Sequence, residues 1–192
     1  MKTSASLRPA LLLLAFGLLA PAHAGSLTES AVEAEKLVSA GKPEEAYDLM
    51  RKATSELGSS MKLGIRRAMF VSERPVAFGA VKGAASNIFP VGSTLITYTE
   101  PSGLSWVEDG NGRFVTRFTV DFELRNPDGE VLAAQKAFGN FSLASREKLQ
   151  EVFTPLTLDV SSVPKGDYVI RYVFTDQNNK ATASVDQRFT LK

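Results

Sequence analysis

The chain has 192 residues, 44% hydrophobic and 22% charged, with a formal net charge of +1. That balance is ordinary for a globular protein, and near neutrality gives no electrostatic reason to bind nucleic acid or an anionic membrane. There is no cysteine, and the single histidine, His23, falls in an N-terminal leader. Disulfides, thiol redox chemistry and Ser-His-Asp or Cys-His nucleophilic sites are therefore excluded from the mature chain.

Lys2 and Arg8 precede the apolar run Leu11–Ala20, and Ala22-His23-Ala24 follows Pro21. A positive start, an apolar stretch and a small-x-small step are the marks of a cleaved signal peptide over residues 1–24. The run is half of the roughly 20 residues that a membrane-spanning helix needs. Export to the periplasm, without stable membrane insertion after cleavage, is expected.

Residues 25–60 carry helical composition. Thr28 or Ser30 can cap a first helix, with Val32, Ala34, Leu37 and Val38 on its apolar stripe. Gly41 stops it and Pro43 suits the first turn of a second helix. Ala46, Leu49, Met50, Ala53 and Leu57 form the second stripe. A helical hairpin follows from this punctuation.

From residue 61 onward the apolar period shortens to two. Phe114, Phe118, Val120, Phe122 and Leu124 alternate with Arg117, Thr119, Asp121 and Glu123, which predicts a strand with one buried face over 113–125. Asn126-Pro127-Asp128-Gly129 is a turn, returning a partner strand over 130–138. Further strands are expected at 63–71, 93–100, 104–108 and 152–160. Tyr168, Ile170, Tyr172 and Phe174 point inward on the next, and Ala183, Val185, Gln187, Phe189 and Leu191 alternate along the strand that closes the set. Seven or eight short strands with turns between them indicate an antiparallel β-sandwich over 61–192. The stretch Pro75–Pro90, with Phe78, Ile88 and Phe89 among small residues, is either a pairing edge or a loop whose aromatics fill the core.

Two resemblances attach to these residues. Ala40-Gly41-Lys42-Pro43-Glu44-Glu45-Ala46, with Ala53, resembles the turn and second helix of one tetratricopeptide repeat. Gly166-Asp167-Tyr168-Val169-Ile170 resembles the tyrosine corner of immunoglobulin-like domains, although Ile170 stands where antibody domains carry a cysteine. Leader, hairpin and sandwich together resemble an uncharacterised exported bacterial family, which implies a mainly β, Ig-like fold and no particular chemistry.

Carboxylates and aromatics are what remains for a site. Tyr98, Glu100 and Trp106, with Glu108 and Asp109 nearby, could hold a sugar or small ligand at one end of the sandwich, or serve a carboxylate hydrolase. Asp109-Gly110-Asn111-Gly112 and Asp176–Asn178 are oxygen-rich but lack the ligand ladder of a calcium loop, so plain turns account for them. No metal or cofactor is expected, and no catalytic residue is assigned. The expected role is a periplasmic, non-enzymatic protein-interaction or envelope-maintenance module whose partner is another envelope protein and not nucleic acid. A carbohydrate- or small-ligand-binding module using Tyr98, Glu100 and Trp106 is the alternative.

Overall fold

A computed structural model describes residues 23–84 and 86–192. The leader expected over 1–24 therefore falls almost wholly outside the described residues. Two helices come first, α1 (His23–Ser39) and α2 (Pro43–Ser60). Lys42 N–H donates to the Leu37 carbonyl at 2.9 Å, closing the turn at Gly41 as the sequence predicts. Thr28 and Ser30 lie inside α1, which begins at His23, and so do not cap it. Ala34 and Ala46 are buried.

Contacts divide the chain into two compact units, with the division between Met50 and Arg51 inside α2. The second half of α2 is held within the C-terminal unit. Arg51 pairs with Glu147, and the Ser55 hydroxyl donates to the Lys148 carbonyl at 3.2 Å.

Among the described residues the remainder is built on nine strands: β1 (Gly64–Val71), β2 (Ile88–Phe89), β3 (Thr94–Ser102), β4 (Val107–Glu108), β5 (Phe114–Arg125), β6 (Val131–Ser145), β7 (Thr154–Asp159), β8 (Gly166–Asp176) and β9 (Thr182–Leu191). They form a three-stranded sheet, β1-β3-β7, and a second sheet, β2-β9-β8-β5, in which β5 also pairs with β4 and β6. One core draws on both. Phe70, Leu95, Leu156 and Leu158 come from the first sheet, while Phe118, Val120, Ile170, Tyr172, Phe174 and Phe189 come from the second. Each such side chain contributes about 1.5–3 kcal/mol of burial, so the strict alternation of β5 and β8 fixes which face turns inward.

Three departures from the sequence reading have local causes. β6 runs through Ser145 and not to 138, because a bulge keeps it paired beyond that point. The register skips between Val120 and Phe122. There Ala137 adopts φ 50° and its N–H donates to Asp121 Oδ1 at 2.7 Å. The stretch expected as a strand from Leu104 is strand only at Val107–Glu108, since Ser105 is turned aside to Asp176. Within Pro75–Pro90, Phe89 packs on Phe70 at 5.1 Å, as one of the two readings held. The same segment also forms β2, parallel to β9.

Two turns behave as their residues demand. Gly129 takes φ 91° in the β5–β6 connection, a conformation open to glycine. The Tyr168 hydroxyl donates back to the Pro164 carbonyl at 2.8 Å, tying the start of β8 to the preceding loop. Tyr168→Phe removes only that bond. It should cost about 1 kcal/mol in urea unfolding, and a change under about 0.3 kcal/mol would show the bond to be idle.

Candidate functional site

Tyr98 and Glu100 lie two apart on β3 and so share a face. Tyr98 is fully buried and Glu100 is 6% exposed. The Tyr98 hydroxyl donates to Glu100 Oε1 at 2.9 Å and accepts from the Gly79 N–H at 2.9 Å. Arg67, opposite Glu100 on β1, brings its guanidinium to 3.6 Å. Phe153 stacks on the Tyr98 ring at 5.8 Å. Burial, offset in part by the Gly79 N–H, raises the Tyr98 pKa. The result is a closed polar cluster, joined through Gly79 to the segment between β1 and β2.

Trp106 does not join it. It is half-buried and packs against the shared hydrophobic core. Leu95 also faces that core, and residues 96, 98 and 100 alternate to the other side of β3. Glu108 is exposed. Asp109 serves its own turn, accepting from Asn111 N–H at 2.9 Å and Arg113 Nε at 2.9 Å. The Asn111 N–H, seconded by Arg113, holds its carboxyl below the usual range.

A second cluster was visible in the sequence only as an oxygen-rich turn. Asp176 is fully buried. Its carboxylate accepts from Ser105 N–H at 2.6 Å, from the Ser105 hydroxyl at 2.8 Å and from Asn178 N–H at 2.8 Å. Asn178 Nδ2 in turn donates to the Ser105 carbonyl at 3.0 Å. These bonds clamp the β3–β4 connection to the β8–β9 turn. Among the described residues no group of three or more His, Cys, Asp or Glu is placed to hold a metal, and no helix is long and apolar enough to cross a membrane.

Two open surfaces remain. The helical pair exposes Val32, Val38 and Tyr47 at 47%, 58% and 64%. A groove beside β9 is lined by Met69, Phe70, Ala84, Asn87, Gln187 and Arg188. The alternation of the last strand already placed Gln187 in one row with Val185 and Phe189, but sequence reasoning missed the groove, because Met69, Phe70 and Asn87 reach it from far away in the chain.

No family model and no curated protein matches the chain. Among solved structures, it is similar to an alkylpurine DNA glycosylase of Pseudomonas fluorescens bound to DNA containing an abasic site analog. The identity is 13% and the TM-score 0.35, over 73% of this chain and 33% of the other. The chain thus spans about a third of the length of that neighbour. This finding corrects two expectations. The neighbour is an enzyme, so the non-enzymatic expectation is withdrawn. It is bound to DNA, so the expectation of an envelope-protein partner with nucleic acid excluded is withdrawn too. At this TM-score no activity carries over to the present chain.

Proposed function

We infer that the chain is an exported, periplasmic protein-interaction module built on an immunoglobulin-like sandwich. The sheet orders β1-β3-β7 and β2-β9-β8-β5, and the Tyr168–Pro164 bond at the start of β8, support the Ig-like reading. The observation that carries the function is the number of large apolar side chains that the helical pair leaves in solvent. Leu27, Val32, Val38, Tyr47 and Met50 are all more than a third exposed while Ala34 and Ala46 are buried, and so many apolar groups left in solvent over so short a stretch, rather than one alone, fit a protein partner.

A photo-crosslinking residue placed at Val32 or Val38 in the producing cell should yield one discrete heteromeric adduct. The same protein should begin at Gly25. No adduct from either position, or material confined to the cytoplasm, would overturn the reading. The carbohydrate or small-ligand alternative draws no support from Tyr98 and Glu100, which are closed from solvent.

A further inference from the structure

The last two residues of β9 carry β2 on their outer edge, with Ile88 opposite Thr190 and Phe89 opposite Leu191. Thr190 N–H donates to the Asn87 carbonyl at 2.9 Å and Lys192 N–H to the Phe89 carbonyl at 3.0 Å. Backbone groups of a strand alternate sides, so the N–H and C=O of Arg188, Asp186 and Ser184 point to that same edge. Among the described residues no strand pairs with it there. The next rung is made by a side chain instead: Asn87 Nδ2 donates to the Arg188 carbonyl at 3.1 Å, standing in for a main-chain N–H.

The groove lies at this end of β2. Met69, Phe70 and Ala84 line it with apolar groups, Ser86, Asn87 and Arg188 with polar ones, and Gln187 enters it from the buried side of β9. Gln187 is 9% exposed, and its Oε1 is buried with no hydrogen-bond partner. An unmatched buried acceptor is costly, and a half-turn about the last torsion of the carboxamide exchanges its oxygen and nitrogen.

We propose that this groove binds an extended peptide that adds to the free edge of β9 in line with β2, donating one N–H to Gln187 and seating one apolar side chain on Met69 and Phe70. The added strand continues a pairing the fold already uses, which favours an extended peptide over a compact small molecule. Arg188 at the rim suits an acidic neighbour in that peptide. The inference deepens the protein-interaction reading but uses a different surface, so loss of the Val32 and Val38 adducts would leave it standing.

The test is NMR titration of the isotope-labelled chain 25–192 with two capped heptapeptides of alternating Thr and Val, one carrying a central Glu. Binding should be saturable, with shifts at the amides of Ser184, Asp186 and Arg188 and at the Gln187 carboxamide. Hydrogen exchange there should slow at least about tenfold. Ser184→Pro removes an outward N–H at an edge position that tolerates proline, and should abolish the shifts. Gln187→Leu should keep the fold and weaken binding about fivefold. No shift up to about 5 mM peptide, shifts mapping to β6, or unchanged affinity in Gln187→Leu would each overturn the proposal.

Discussion

Asp176→Ala should lower the free energy of unfolding of the C-terminal unit by about 3–4 kcal/mol. A hydrogen bond to a charged group contributes roughly 1.5–3 kcal/mol, and removing an acceptor strands its buried donors. Three donors depend on this carboxylate: the N–H and hydroxyl of Ser105 and the N–H of Asn178. Water can re-enter around Ser105, which is only half-buried, so the loss falls short of the sum of three bonds. Against a typical total of about 5–15 kcal/mol, this is a large fraction. In urea the midpoint should fall by about 2 M with the slope unchanged. Asp176→Asn should lose less, since one acceptor oxygen survives while the amide nitrogen faces the Ser105 donors. A loss below about 1 kcal/mol in the alanine variant would mean that the clamp does not hold the two loops together.

Alkaline pH should unfold the protein through Tyr172. Its hydroxyl is fully buried and has no hydrogen-bond partner, nor has Thr97 Oγ1. Burial pushes the Tyr172 pKa up to about 12 from 10.0, and the nearby Thr97 pulls it back only in part. The folded protein thus resists losing a proton that the unfolded chain gives up more easily. Tyr172 favours the native state fully below the unfolded pKa near 10, and this contribution fades as pH rises through about 12. Two units correspond to about 2–3 kcal/mol. Tyr172→Phe should flatten the stability profile between pH ~10 and ~12. At neutral pH it should raise stability by about 1 kcal/mol, since it removes an unpaired buried hydroxyl and keeps the ring. Superimposable alkaline unfolding curves for the two proteins would sink this account.

The same distinction, between what a residue type demands and what its neighbours allow, decides how much was legible in the sequence. The alternation in β5 and β8 named Phe118, Val120, Phe122, Ile170, Tyr172 and Phe174 as inward, and all are buried. Period-two patterning reports burial directly, because a slip of one residue would expose the whole set. The helical hairpin was legible because Gly41 and Pro43 act locally. The Tyr168 corner was legible because its bond spans four residues.

The candidate site was less legible. Tyr98 and Glu100 do come together, as their spacing on one strand requires, but their partners Arg67, Gly79 and Phe153 lie far away in the chain. Those partners close the pair from solvent, and spacing alone gives no sign of this. Trp106 was placed with them on chain proximity, whereas the Ser105–Asp176 bonds divert its segment toward the core. Gln187 shows the limit most plainly. Alternation with Phe189 and Leu191 turns it inward, as the period of the strand predicts, but only the arrival of β1 puts Met69 and Phe70 beside it.

By itself, then, the sequence determined the helical pair, the mainly β character and the inward rows, because each rests on neighbours within a few residues. Tertiary structure decided the pairing of β2 with β9, the extension of β6 past Ala137, the clamp on Asp176 and the groove at Gln187. Each of these depends on hydrogen bonds or packing between segments far apart in the chain, and no local period or turn residue encodes which distant strand arrives alongside.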